Sequence, residues 1–132
     1  MAEAAIEVKD LSKRYGDEVQ ALAGVSFSVD AGTVFGLLGP NGAGKSTTVK
    51  ILTTLSHPTS GKASIMGFDV LEQAAEVRRR IGVVAQSSTA DREATARENL
   101  RLQGQLYRMK GRDLESRIDS LLESFKLAGD GD

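Results

Sequence analysis

The chain has no cysteine, which excludes both a disulfide framework and a thiolate metal site. That usage fits a reducing compartment. No apolar run approaches the roughly 20 residues that a membrane-spanning helix needs. The first residues, Met1-Ala2-Glu3-Ala4-Ala5, include an acid and no basic stretch leading into an apolar one, so they do not read as a secretory signal. Histidine is nearly missing too, with His57 the single example. The formal net charge of -1 gives no electrostatic reason to expect nucleic acid or an anionic membrane as a direct partner. Neither an internal repeat nor a low-complexity tract is visible. What remains, 132 residues with 40% apolar and 27% charged, is ordinary for one soluble globular domain with a modest core.

Against that plain background, Gly39-Pro40-Asn41-Gly42-Ala43-Gly44-Lys45-Ser46-Thr47 stands out. It matches the phosphate-loop pattern G-x-x-x-x-G-K-[ST] without substitution. Gly39, Gly42 and Gly44 can take backbone angles closed to other residues, which lets successive N–H groups face phosphate oxygens. Lys45 brings a compact ammonium, and the Ser46 hydroxyl is a hard oxygen ligand suited to Mg²⁺. A helix opening near Gly44 adds its positive end to the same site. The competing reading is a chance glycine-rich turn. Context weighs against it. Val34–Leu38 just before is a short apolar run that predicts a buried parallel strand. Thr48–Leu52 after it predicts a helix with Val49, Leu52 and Leu55 facing inward.

Upstream, Ile6–Leu11 alternates apolar and polar residues and predicts a half-buried strand. Ser12–Asp17 reads as a polar turn holding one aromatic, Tyr15. Val25, Phe27 and Val29 alternate with Ser26, Ser28 and Asp30, a second strand with one wet face. The opening third therefore predicts an antiparallel β layer ahead of a nucleotide-binding core.

Downstream, Ser56–Gly61 is dense in turn formers and predicts a loop. His57 lies in it; a catalytic base needs a partner to orient it, and an exposed loop histidine is the simpler reading. Ala63–Gly67 predicts a short strand, and 72–80 a helix ending in Arg78-Arg79-Arg80. That triplet suits an anion, but it equally suits a helix C-terminus and solvent. Ile81–Ala85 is a second apolar run of the buried-strand kind. It ends at Gln86, on the edge of the sheet where ligands of open α/β folds gather. The Gln86 amide is either a ligand for Mg²⁺ or water, or simply the polar start of a loop. Thr95 and Glu98 have capping-box spacing, and Leu100, Leu106 and Tyr107 give the following helix an apolar side. Leu114, Ile118, Leu121, Leu122 and Phe125 then predict an amphipathic helix of about five turns, its other face solvated or docked on a partner.

Taken together, Tyr15 in Lys13-Arg14-Tyr15-Gly16, the phosphate loop, Val84-Ala85-Gln86 and Arg97-Glu98-Asn99-Leu100 resemble the ATP-binding subunit of ABC transporters. The wording from Phe35 to Thr48, with Pro58-Thr59-Ser60-Gly61, is similar to the bacterial drug and antibiotic exporters of the daunorubicin-resistance type. The resemblance implies an α/β fold: a P-loop NTPase core with an N-terminal antiparallel β layer and a C-terminal helical segment. Residues 1–94 would hold the β layer and core, and 95–132 the start of a helical subdomain. It further implies ATP and Mg²⁺ as ligands, adenine stacked on Tyr15, the triphosphate held from Gly39 to Thr47, and Ser46 on the metal. Lys45 and Gln86 would be the catalytic pair, with Gln86 also touching Mg²⁺. Partners would be a membrane-spanning permease and a second ATP-binding subunit arranged head-to-tail, with no nucleic acid. The protein would then sit on the cytoplasmic face of the membrane, held by the permease.

The sequence departs from that family in three respects. The Leu-Ser-Gly-Gly-Gln signature, an apolar strand ending in Asp-Glu and the switch histidine are not in it, and His57 is misplaced to stand in for the last. The expectation is therefore the N-terminal, truncated part of a longer ATPase. On this reading the longer protein hydrolyses ATP to drive export of a drug or other small molecule, while this piece binds ATP weakly. The alternatives are a non-hydrolysing nucleotide-binding or interaction module and a soluble P-loop NTPase unconnected with transport.

Overall fold

The structure is a computed structural model that describes residues 4–129. The chain divides into two compact units, Met1–Val84 and Ala85–Asp132.

The first unit is built on two long strands, β1 (Ala4–Tyr15) and β2 (Val19–Asp30), paired antiparallel from Ala4↔Asp30 to Tyr15↔Val19. β1 also pairs antiparallel with β3 (Ser60–Ile65), which pairs with the short β4 (Phe68–Asp69), so the sheet order is β2-β1-β3-β4. The predicted turn at Ser12–Asp17 is shorter than expected. Ser12 to Tyr15 continue β1, and the chain reverses only at 16–18. This places Tyr15 at the tip of a strand rather than in a loop.

Strict alternation along β1 would put Val8 and Leu11 on opposite faces, since they are three residues apart. Both are nevertheless buried, at 2% and 0% exposure. A bulge resolves the conflict. Val8 pairs with Phe27 and Leu11 with Val25, so three steps on β1 oppose two on β2. Asp10 absorbs the extra residue with a φ of 49°, and its N–H donates to Ser26 Oγ at 2.8 Å. β3 fits closely against this bulge because Gly61 is there: a Cβ on Gly61 would lie 2.3 Å from the Asp10 carbonyl oxygen.

Helix α1 (Lys45–Leu52) packs on this sheet, with Ile51 fully buried beside Val8, Leu11 and Leu22. Its phase differs from the sequence expectation. Thr48, Ile51 and Leu52 face inward, whereas Val49 is half exposed and Leu55 exposed. The helix stops at Leu52, where Thr53 caps it, and Thr54 turns the chain at a φ of 62°, so Leu55 never joins the helical face. Thr48 is tolerated inside because its hydroxyl donates to the Gly44 carbonyl at 2.9 Å.

Helix α2 (Ala74–Arg78) is shorter than the predicted 72–80 and buries Val77. The arginines after it find partners locally. Arg79 and Arg80 both reach the Glu76 carboxylate at 2.7 Å, Arg80 lies over the Phe68 ring at 3.9 Å, and Arg78 donates to Thr54 Oγ1 at 3.1 Å. These contacts favour the structural reading of the triplet over an anion site.

Two predicted strands do not form. Residues 34–38 and 81–85 join no ladder among the described residues, and Val34, Leu38 and Val84 are almost wholly exposed. A parallel strand is stable only with neighbours that take its N–H and C=O groups and helices that cover its faces. Among the described residues neither run has such a partner, and both lie outside the sheet. Phe35 alone finds a partner, stacked on Phe27 with ring centroids 5.3 Å apart.

The second unit is a helical hairpin of α3 (Ala96–Leu106) and α4 (Gly111–Ser124). The capping box at Thr95 and Glu98 is formed in both directions. Leu114, Ile118 and Leu122 make the interior, with Ala96, Leu100 and Met109 against them. Leu106, Tyr107 and Phe125, expected on the apolar sides, are exposed. At 14 residues, α4 has about four turns rather than five, and Phe125 is its cap rather than part of its stripe. Arg101 clamps Glu115 through two bonds of 2.9 and 3.0 Å, and Arg97 reaches Asp119 at 2.9 Å.

The Arg101 guanidinium holds the Glu115 carboxyl below the usual glutamate range, with the Arg97 charge adding to the effect. A lowered folded-state value means that the contribution to stability is present above the unfolded value of about 4.3 and fades as pH falls through the folded one. Thermal midpoints of Glu115→Gln should therefore fall less steeply on acidification than those of the parent chain. Identical acid slopes would remove Glu115 from the account.

Candidate functional site

The phosphate loop owes its shape to two glycines. Gly42 and Gly44 lie at φ of 85° and 87°, a left-handed region that costs an L-residue roughly 1–2 kcal/mol. Gly44 has a second reason to lack a side chain. A Cβ there would stand 2.4 Å from the Ala21 carbonyl oxygen and 2.5 Å from Leu22 Cδ2. Behind it, the Ala43 N–H donates to the Pro40 carbonyl at 3.1 Å and closes the turn, with Gly39 facing Ala43.

Gly44 is the N-cap of α1, and no side chain caps it. The N–H groups of Lys45, Ser46 and Thr47 are the first of the helix and have no carbonyl within it to bond. Thr48 N–H is the first satisfied one, at 2.9 Å from the Gly44 carbonyl. Successive unsatisfied donors at a helix N-terminus make an anion site. The Lys45 ammonium is folded back over the loop, donating to the Gly39 carbonyl and to that of Pro40 at 2.8 Å. It keeps a third donor, because an ammonium has three.

These residues open onto a cavity of about 320 Å³. Its walls are Asn41, Gly42 and Gly44 to Thr47 on one side and Tyr15 with Val19 to Ala21 on the other. Tyr15, expected near the loop only by resemblance, thus shares one cavity with it. The ring is 45% exposed. The hydroxyls of Thr47, first, and then Ser56 act on its phenol as hydrogen-bond partners and hold it below the ordinary tyrosine value, with Lys13 and Lys50 adding positive charge nearby.

The remaining candidates are placed as follows. Ser46 is exposed at the cavity wall. No cluster of three or more His, Cys, Asp or Glu side chains occurs among the described residues. Mg²⁺ habitually keeps its waters and binds few protein ligands beside substrate phosphates, and one exposed hydroxyl beside an anion site fits that habit. Gln86 is exposed in a bend at the start of the second unit. His57 is exposed in its loop, and its carbonyl accepts the Lys13 ammonium at 2.6 Å.

Sequence reasoning missed Thr47 and Ser56 as partners of Tyr15, and Val19 to Ala21 as a cavity wall. The second was recoverable: a hairpin reversing just after Tyr15 brings the first residues of β2 beside it.

A β layer followed by a glycine loop that opens a helix defines the chain as an α/β protein of the phosphate-loop class. The family model described as ABC transporter matches residues 22–132, and the chain belongs to that family. It is 47% identical over 131 residues to the daunorubicin resistance ATP-binding protein DrrA3 of Streptomyces coeruleorubidus, covering 99% of this chain and 41% of that protein. It is 44% identical over 128 residues to the Nod factor export ATP-binding protein I of Rhizobium meliloti (strain 1021), covering 97% and 38%. A solved ATP-binding subunit of an ABC transporter superposes with a TM-score of 0.76 at 36% identity, covering 93% of this chain and 51% of that one. The chain therefore spans about two fifths of the length of these curated relatives.

Replacing Gly44 with alanine should cost at least tenfold in affinity for inorganic tripolyphosphate, because the loop must shift to make room. Titration calorimetry reads this directly; parent-like affinity would mean that the glycine geometry does not build the anion site.

Proposed function

We propose that the chain binds ATP with Mg²⁺ and forms the phosphate-binding part of an ABC ATP-binding subunit. In the longer protein, that subunit hydrolyses ATP and drives export of a drug or other small molecule through a separate membrane permease. The observation that carries this reading is the single cavity joining Tyr15 to the phosphate loop. An anion cradle alone accepts any phosphate. An aromatic on the facing wall adds selection for a base, since stacking is tolerant of sequence but demands a π-face.

In this reading each residue has a physical task. The amides of Lys45, Ser46 and Thr47 hold phosphate oxygens without reorganising, because the helix already fixes them. The Lys45 ammonium exchanges its two loop carbonyls for phosphate oxygens, and Ser46 offers its hydroxyl to the metal. Bound ATP supplies a phosphoanhydride whose terminal phosphoryl group can pass to water. Gln86 is assigned the task of orienting that water and reporting on the metal. Electrostatic placement does most of the work in phosphoryl transfer, and losing one stabilising donor costs about 10²–10³ in rate. The sequence holds no Asp-Glu strand end, no Leu-Ser-Gly-Gly-Gln and no switch histidine. By itself the chain therefore binds better than it turns over. Head-to-tail pairing with a second subunit and attachment to the inner face of the membrane belong to the same proposal.

Lys45→Ala should abolish binding of a fluorescent ATP analogue, and unchanged affinity would sink the reading. In steady state, the purified chain should release phosphate far more slowly than a full-length ABC subunit; equal turnover would show that the missing motifs are dispensable.

Tyr15→Ala should weaken ATP about tenfold while leaving inorganic tripolyphosphate nearly unaffected. Equal losses for both ligands, measured by calorimetry, would count against stacking.

A further inference from the structure

Tyr15 ends a strand and is nearly half exposed, so its ring needs something to hold it if it is to serve as a platform. Lys13, two residues earlier, lies on the same face of β1 by the alternation of strand side chains. Its ammonium sits 5.0 Å from the Tyr15 ring centroid, within the range of a cation–π contact. The same ammonium donates to the His57 carbonyl at 2.6 Å. Lys13 is therefore fixed from the loop that follows α1, not left to wander as a surface lysine would.

That loop is itself fastened along the end of β1. The Thr59 N–H donates to the Ser12 carbonyl at 2.8 Å, and the Arg14 N–H donates to Thr59 Oγ1 at 2.9 Å. Ser56 acts on the Tyr15 phenol alongside Thr47. The ring is thus met at its face by the Lys13 ammonium, with the Thr47 and Ser56 hydroxyls acting on its phenol. Tyr15 lines the cavity and Lys13 is not among its lining residues; an ammonium over one face of the ring occupies that face alone.

We infer that Lys13 is a positioning residue for Tyr15, braced on the His57 carbonyl so that the ring presents one fixed face to the base of a bound nucleotide. The inference rests on the proposed ATP site and deepens it. Lys13 sets affinity for the base, whereas Lys45 sets affinity for phosphate. The backbone carbonyl of His57, rather than its imidazole, is the part of that residue that matters.

The test compares Lys13→Met, Lys13→Arg and Tyr15→Ala in the full chain. Lys13→Met keeps the length and apolar stem of the side chain and removes the charge. It should weaken ATP about two- to fivefold, the worth of one exposed cation–π contact, and leave inorganic tripolyphosphate unchanged. Lys13→Arg, which retains a cation over the ring, should restore most of the ATP affinity.

A second measurement reads the ring without any ligand. The chain has two tyrosines and no tryptophan, so in a Tyr107→Phe background Tyr15 is the only side chain excited in the tyrosine band. Adding Lys13→Met there should make Tyr15 emission more accessible to acrylamide, a neutral quencher. If quenching and ATP affinity both stay at parent values while Tyr15→Ala still loses ATP selectively, the brace is refuted and the base platform stands. If Tyr15→Ala loses ATP and tripolyphosphate alike, the platform fails and the brace has no role to serve. Equal loss of both ligands in Lys13→Met would reduce Lys13 to a structural lysine.

Discussion

The contact between Gly44 and the backbone of β2 constrains everything around it. Gly44 launches α1 from a left-handed conformation while the Ala21 carbonyl and the Leu22 side chain occupy the space a Cβ would need. The antiparallel hairpin and the phosphate loop therefore fix each other. Leu22 goes on into the core beside Ile51, so the same strand that touches the loop also holds the helix that follows it. Three consequences come from one contact. The first amides of α1 point out of the helix end, Val19 to Ala21 become a wall of the cavity, and Tyr15, paired with Val19, is carried to that same wall.

What could be read from the sequence divides by range. The turn at Gly42 and Gly44, the start of α1 and the capping box at Thr95 depend on residues within a few positions of each other, and each forms as expected. The runs 34–38 and 81–85 carry the composition of buried strands, but a strand is a relation between segments. Composition says that a segment would accept neighbours and says nothing about whether they are there. Helix α1 forms and buries Leu52 as expected, but its inward face was misjudged for a smaller reason of the same kind. Its phase was counted on to Leu55, whereas the left-handed turn at Thr54 ends the helix before that residue can join it. The bulge at Asp10 was illegible as well. Val8 and Leu11 break alternation, and only the β2 register and the close approach of Gly61 explain why both are inside.

The site follows the same division. From Gly39 to Thr47 the reading rested on nine consecutive letters: Gly42 and Gly44 take the left-handed angles expected of them and α1 starts at Lys45, whereas Gly39 does not take such an angle. Tyr15 could be singled out only by resemblance, because a lone aromatic beside a glycine has no periodicity to betray it. Its surroundings, with Thr47 and Ser56 at the hydroxyl and Lys13 at the ring, come from three separate stretches of chain. No spacing rule connects them. Gln86 shows the limit most plainly: it lies in the second unit, and its proposed task depends on groups it cannot bring with it.

That contrast separates what the cradle needs from what the proposed turnover would need. The cradle is preorganised by one turn and the first residues of one helix, so its donors are in place before any ligand arrives. Such a site needs only the fold that supports the turn, which here is β2 against Gly44. Polarising a water and stabilising charge in the transition state require groups fixed relative to the cradle within tenths of an ångström. Those groups must come from other strands, and strands hold their places only within a completed ladder. Here the apolar runs 34–38 and 81–85 carry no ladder among the described residues. The described contacts therefore account for the cradle, while the alignment of water and metal belongs to the proposed turnover.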